Sequence, residues 1–106
     1  MITAEFKEFI LVATYVPNSG EGLTRLKYRV DAWDVGLQNH LVKLKEKQKP
    51  VILAGDLNVA HHDIDIYDPL GKENVACFTK EEKDSFQKML DSGFVDTFRH
   101  LYPNKR

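Results

Sequence analysis

The chain has 106 residues, close to the commonest size of one domain, and its 42% hydrophobic and 10% aromatic composition predicts a packed core rather than disorder. The net charge of −1 excludes a strongly basic protein that binds nucleic acid mainly through bulk charge, but it is compatible with a shaped DNA site. Cys77 is the only cysteine, so no disulfide partner is expected within the chain, and a reducing location, nuclear or cytoplasmic, is the default.

The first two predicted elements are strands. Ile2, Ala4 and Phe6 alternate with polar residues, which predicts a half-buried edge strand ending at a turn. Residues 9–16 are nearly all apolar or β-branched and are followed by Pro-Asn-Ser-Gly at 17–20, which predicts a central strand and then a loop. This longest apolar run has about eight residues, far fewer than the roughly 20 that span a bilayer, so no membrane partner is expected.

A helix and a third strand follow. From Leu23 to Leu44 apolar residues recur at steps of three and four, which predicts one face of a long amphipathic helix. Residues 50–55 then predict a strand buried on both faces. A crossover of this length makes the two flanking strands parallel, so Tyr15 and Asp56 are expected at the same edge of the sheet, where ligands of α/β folds bind.

The polar connection at 61–77 precedes a second predicted helix. His61, His62, Asp63 and Asp65 suggest a metal cluster, but their spacing does not suit zinc, and we favour a solvated loop. Thr79 to Glu82 forms a capping box for a helix that buries residues 86, 89 and 90 and stops at Gly93. The segment 94–98 is amphipathic and has no assigned state.

The residues at the predicted sheet edge suggest chemistry on a phosphate. Asp56 and Asn58 offer oxygen ligands for a hard cation such as Mg²⁺, or Asp56 acts as a general base. Tyr15 and Asn18 carry donors for a phosphate oxygen. The alternatives are structural: Asp56 and Asn58 form an Asx turn, Tyr15 ends a core strand at the surface, and Asn18 shapes its turn.

With these residues placed, the chain resembles the exonuclease III family of apurinic/apyrimidinic endonucleases. The resemblance lies in residues 11–20 (LVATYVPNSG), 55–61 (GDLNVAH), 64–65, 77–79 (CFT) and 96–103 (DTFRHLYP), and so covers essentially all 106 residues. It implies that residues 1–106 are the central portion of one endonuclease/exonuclease/phosphatase domain. That fold is a four-layered α/β sandwich, two facing mixed sheets flanked by helices, and it would be incomplete in this chain.

The same resemblance implies a function. It is Mg²⁺-dependent hydrolysis, with Mn²⁺ as an alternative ion, of the phosphodiester 5′ to abasic sites of double-stranded DNA in base-excision repair, with 3′-exonuclease or phosphodiesterase activity beside it. Tyr15 and Asn18 would contact the scissile phosphate. Asp56 would activate or align the attacking water, and Asn58 would stabilise the phosphorane-like transition state near the metal, so that Asp56 and Asn58 are the metal-site residues.

Departures from the family pattern raise the alternatives. Glu21 stands where a basic or small residue is common, and Val75-Ala76-Cys77 replaces Asn-Ala-Gly in the 72–77 loop. The N-terminal metal-binding acid, a later Asp and the Ser-Asp-His motif have no counterpart. We therefore expect Met1 to mark a truncation or an incomplete gene model, and the chain alone to be inactive. The alternatives are a non-catalytic DNA- or protein-binding product and another phosphodiesterase of the superfamily.

Overall fold

Three strands form one mixed sheet in a computed structural model that describes residues 1–106. They are β1 (Ile2–Glu5), β2 (Ile10–Tyr15) and β3 (Val51–Asp56), in the order β1-β2-β3. β1 pairs antiparallel with β2, and β2 pairs parallel with β3. The predicted mixed α/β class and the predicted parallel pair are confirmed.

β2 is the central strand because it pairs with β1 on one side and with β3 on the other, and its apolar side chains face the helices. Ile10, Val12 and Val16 are buried among helix residues on that face. Phe6 donates a 2.8 Å backbone hydrogen bond to Phe9, which closes the turn between β1 and β2. The central position predicted for this strand is therefore confirmed.

The other sheet face is open, and here two predictions are wrong. β3 is not buried on both faces: it is an edge strand, and Ile52 on the open face is 47% exposed. β1 lies at the opposite edge, as predicted, but it is not half-buried, since Ile2 is 71% exposed. The physical reason is the same for both strands, because helices cover only the face that carries Val51 and Leu53.

The helix predicted over 23–44 begins later and is interrupted. Leu23 belongs to a 3₁₀ turn and has φ of 59°, and the preceding Gly22 also has positive φ, 72°. A chain in the left-handed region cannot continue into an α-helix, so the helix starts only at Leu26. Its parts are α1 (Leu26–Tyr28), a π-helical segment (Arg29–Asp34) and α2 (Val35–Lys45).

The π-helical segment changes which residues face the core. An i to i+5 spacing places Arg29 and Asp34 on one side, and Arg29 Nε donates to Asp34 Oδ1 at 3.2 Å while both side chains are buried. Of the apolar face predicted for this helix, only Leu37, Leu41 and Leu44 are buried. A buried ion pair therefore occupies part of the surface that the periodicity assigns to apolar residues.

The remaining helices are α3 (Lys80–Asp91) and α4 (Thr97–Leu101). Thr79 caps α3 as predicted, because its hydroxyl accepts from the Glu82 N–H at 3.2 Å. The second half of the predicted capping box is wrong, because the Glu82 carboxylate accepts from the Cys77 N–H and the Thr79 hydroxyl instead of the Thr79 N–H. Gly93 follows the end of α3 with φ of 113°, which fits the predicted stop. The unassigned segment 94–98 contains the start of α4, whose N-cap Asp96 accepts from the Arg99 N–H at 3.0 Å. None of the helices combines the length and apolar composition that crossing a bilayer requires.

Candidate active site

Tyr15 and Asp56 are paired residues of the two parallel strands. They are the last register pair of β2 and β3, so both lie at the carboxyl edge of the sheet. Side chains alternate along β2, and Thr14 and Val16 are buried on the helix side, so Tyr15 projects from the open face and is 71% exposed. The crossover therefore brings these two predicted site residues together as expected.

Asp56 is held by the turn that follows β3. Its Oδ1 accepts from the Asn58 backbone N–H at 2.9 Å, and Asn58 itself has φ of 48°. The Asx turn proposed as the structural alternative is thus present. It occupies one carboxylate oxygen, and Oδ2 has no hydrogen-bond partner within the chain. Structural and chemical roles of Asp56 are therefore compatible, because different oxygens serve them.

Asn58 joins the loops that follow β2 and β3. Its Nδ2 donates to the Val16 carbonyl at 2.6 Å, which turns Oδ1 toward Asn18. The Asn18 Nδ2 lies 3.5 Å from that oxygen, and Asn18 Oδ1 accepts from the Gly20 N–H at 2.8 Å. The structure thus places Asn18 and Asn58 side by side beyond the strand ends.

Cys77, in the turn before α3, lies in the same cluster. Its Sγ is 3.5 Å from Asn58 Oδ1 and 3.6 Å from Asn18 Nδ2. Burial raises the pKa of the thiol above its usual range, and the Glu82 carboxylate raises it further. Cys77 also has φ of 77°, a backbone conformation that glycine adopts more easily. The thiol is therefore a protonated, polarisable neighbour of the two amides.

A buried ion pair between Arg29 and Glu82 contacts the backbone of this cluster. Arg29 NH1 binds the Glu82 carboxylate and also donates to the Asn58 carbonyl at 2.8 Å, while NH2 donates to the Leu57 carbonyl at 2.9 Å. Sequence reasoning missed both residues in this role. Glu82 was explained by its capping pattern, and Arg29 lay within an apolar helical pattern. An Arg inside such a pattern is the one signal that could have indicated it.

The predicted metal residues offer part of a coordination shell. Asp56 Oδ2 and Asn58 Oδ1 are hard oxygen donors at the sheet edge, which suits Mg²⁺, an ion that commonly keeps several waters and takes one or two carboxylates. No three His, Cys, Asp or Glu residues are arranged to hold one ion. The donor set therefore fits a largely hydrated Mg²⁺ rather than a closed protein site.

The His61 to Asp65 segment has structural contacts instead of a metal arrangement. The His61 ring packs edge-on against Phe86 at 4.9 Å, and burial together with neighbouring His62 lowers the pKa of His61. Burial alone would raise the pKa of Asp65, but the His62 N–H and the Arg99 guanidinium hold it below its usual value. These contacts anchor the loop to α3 and α4.

Comparison of the sequence with known proteins identifies its family. A family model described as the Endonuclease/Exonuclease/phosphatase family matches residues 3–105. The chain is 50% identical over 105 residues to the DNA repair nuclease APEX1 of Danio rerio, with 99% of this chain and 33% of that protein aligned. It is 45% identical over 104 residues to an exodeoxyribonuclease of Bacillus subtilis, aligning 98% of this chain and 40% of that protein.

Solved structures agree with the sequence relatives. The AP endonuclease LMAP from Leishmania major superposes with a TM-score of 0.86 at 40% identity, covering 92% of this chain and 33% of that one. An AP endonuclease from Archaeoglobus fulgidus gives a TM-score of 0.84 at 29% identity, covering 98% and 40%. The chain thus spans between a third and two fifths of the length of these proteins. The chain belongs to the Endonuclease/Exonuclease/phosphatase family.

Proposed function

We propose that this chain carries part of the active site of a Mg²⁺-dependent DNA repair endonuclease. Its reaction is hydrolysis of the phosphodiester 5′ to an abasic site in double-stranded DNA, with 3′-exonuclease activity as a further reaction of the same site. The main support is the convergence of Tyr15, Asn18, Asp56 and Asn58 at one sheet edge. The relatives named as DNA repair nuclease and exodeoxyribonuclease support DNA as the substrate.

Asp56 aligns or deprotonates the attacking water. Its Oδ1 is fixed by the Asn58 N–H at 2.9 Å, so the carboxylate has one orientation at the end of β3. The unengaged Oδ2 is the oxygen that accepts a hydrogen bond or a proton from water. A positioned carboxylate of this kind is a general base of the usual type.

Tyr15 and Asn18 hold the phosphate, and Asn58 acts on the transition state. The exposed Tyr15 hydroxyl at the end of β2 and the Asn18 amide in the loop that follows are donors, and phosphate oxygens are their natural acceptors. The hydrogen bond to the Val16 carbonyl fixes the Asn58 amide in one orientation. The amide is therefore already in place when negative charge develops on the phosphoryl oxygens.

Mg²⁺ is the expected cofactor, and Mn²⁺ is the alternative ion of similar ligand preference. Asp56 and Asn58 are the residues that would hold it, with water completing its shell. When bound, the ion supplies neutralisation of charge on the phosphoryl oxygens. The chain's own contribution is to fix the two oxygen donors beside the phosphate-binding side chains.

An incision assay tests the proposal. The complete gene product is incubated with a 5′-labelled duplex carrying one tetrahydrofuran abasic analogue, with Mg²⁺ or with EDTA. We expect one product, cut 5′ to the analogue, only with Mg²⁺. If the duplex stays intact while a phosphoinositide or sphingomyelin is hydrolysed, the chain belongs to another phosphodiesterase branch. If the duplex is bound but not cleaved, the non-catalytic alternative is supported.

The proposed reaction places the protein in base-excision repair. Double-stranded DNA with abasic sites is its partner, and the nucleus or the cytoplasm is the expected location. Two relatives carry repair in their names, a DNA repair nuclease and a recombination repair protein, and this supports the assignment. Fractionation with an antibody against the chain tests the location, and recovery outside the cell would contradict it.

A further inference from the structure

One buried carboxylate bonds to the loops on both sides of the site. Glu82 is completely buried, and its Oε2 accepts from the Ser19 hydroxyl at 2.9 Å in the loop after β2. Its Oε1 accepts from the Cys77 N–H at 2.9 Å and the Thr79 hydroxyl at 2.8 Å, in the turn before α3. Glu82 therefore joins the loop that carries Asn18 to the turn that carries Cys77.

Arg29 extends this connection to a third loop. Its side chain is only 3% exposed and binds Glu82 through NH1. The same guanidinium donates to the carbonyls of Leu57 and Asn58, directly after β3. All three segments that surround the two asparagine amides are thus attached to one buried ion pair.

Helix capping alone does not account for this arrangement. In a capping box the Glu carboxylate returns to the N–H of the capping residue, but here it accepts from Cys77, Ser19 and the Thr79 hydroxyl instead. Stability alone does not account for it either, because an apolar pair of similar volume commonly stabilises a core as well as a buried ion pair does. The hydrogen bonds of Glu82 and Arg29 go instead to the three loop segments around Asn18 and Asn58.

The side-chain amides of Asn18 and Asn58 depend on their loops for their relative position. Asn18 Nδ2 and Asn58 Oδ1 are 3.5 Å apart, too far for a strong hydrogen bond, and Asn18 is exposed. Their separation is therefore set by the backbones of their loops rather than by the contact between them. Catalysis is sensitive to such placement, since a shift of about 1 Å can cost about 10²-fold in rate.

We propose that Glu82, acting through Arg29 and Ser19, is a positioning residue that sets the placement of Asn18 relative to Asn58. It contacts neither amide side chain and takes no part in the chemistry. This role rests on the proposed phosphodiester hydrolysis for its effect on rate. The placement of the two amides is measurable without any activity.

The test compares Glu82→Gln with Asp84→Asn in the complete gene product. Asp84 is a matched control because it lies on the same helix, is exposed and bonds only to Lys80 at 2.6 Å. Single-turnover cleavage of the abasic duplex, duplex binding and the ¹H–¹⁵N signals of the Asn18 and Asn58 side-chain amides are measured. For Glu82→Gln we expect a rate at least about tenfold lower, binding within about threefold and both amide signals shifted. Asp84→Asn should leave all three unchanged.

Ser19→Ala keeps the test decisive if Glu82→Gln does not fold. It removes one 2.9 Å bond and leaves the ion pair intact. The Asn18 amide signal should shift, the Asn58 signal should stay, and the rate should fall severalfold. Unshifted amides in the folded variants would overturn the positioning role. If the wild-type protein itself fails to cleave, the proposed function fails, and the amide signals alone decide the role of Glu82.

Discussion

Tyr15 and Asp56 form the final register pair of two parallel strands, so a phenol and a carboxylate stand next to each other at the carboxyl edge of the sheet. The pairing depends on β2 and β3 ending level with each other. Directly beyond it the Val16 N–H donates to the Asp56 carbonyl at 2.9 Å, which continues the ladder into the loop. The two side chains are consequently placed by the sheet itself, and substitutions that keep the backbone should change chemistry without changing the fold.

Asp56→Asn should lower turnover far more than DNA binding. The amide keeps the acceptor for the Asn58 N–H but cannot take a proton from water, so the single-turnover rate should fall on the order of 10²-fold or more. Asp68→Asn, in the exposed loop, is the control and should cleave as wild type does. Near-normal single-turnover cleavage by Asp56→Asn would contradict the assigned role.

Tyr15→Phe should reduce cleavage while leaving the fold almost unchanged. The residue is 71% exposed, so losing its hydroxyl should change the free energy of unfolding by about 1 kcal/mol or less and Tm by a few degrees. Tyr67→Phe, at a position 91% exposed, provides the matched control. Unchanged cleavage together with a large fall in Tm would return Tyr15 to a purely structural role.

Gly55→Ala should strongly destabilise the protein, because no side chain fits between the strands there. Gly55 has φ of 127°, and an added Cβ would lie 1.9 Å from the Thr14 carbonyl oxygen. Separation of β2 from β3 should cost about 2 kcal/mol or more. Gly36→Ala is the opposite control: it meets nothing within 4 Å in α2 and should stabilise by about 0.5–1 kcal/mol. Equal urea midpoints for the two variants would refute this reasoning.

The positions of Tyr15 and Asp56 could be predicted from the sequence, but the buried ion pair of Arg29 and Glu82 beside them could not. Tyr15 and Asp56 follow from one rule, that a helical crossover makes strands parallel, and the structure agrees. The role of Glu82 could not be predicted from the sequence, because a capping box with Thr79 already explains an acid at this position. The π-helical segment was also missed, since apolar spacings of three and four do not distinguish a continuous α-helix from one that widens by a residue at Arg29.

Asp65 and Arg99 should make stability depend on acid pH. The folded-state pKa of Asp65 lies below its ordinary 3.8, so the contribution of the pair is complete above that pH and is lost as pH falls through the lower folded value. Because water screens this partly exposed pair, Asp65→Asn should lower the free energy of unfolding by at most about 1 kcal/mol at neutral pH. Its urea midpoint should approach that of wild type as the pH falls below the ordinary pKa of 3.8. A constant difference at every pH would exclude this ion pair as the cause.

The 106-residue chain alone should neither cleave abasic DNA nor remain a well-packed monomer. Asp56 and Asn58 leave most of a cation's shell to water, so neither ion nor attacking water is firmly oriented. The open sheet face exposes Ile2 and Ile52, at roughly 25 cal/mol for each Å² left in water, against a typical total stability of about 5–15 kcal/mol. Light scattering should show dimers or aggregates, and the incision assay should show an intact duplex. Mg²⁺-dependent cutting by a monodisperse chain, abolished by Asp56→Ala, would show instead that this portion of the site suffices.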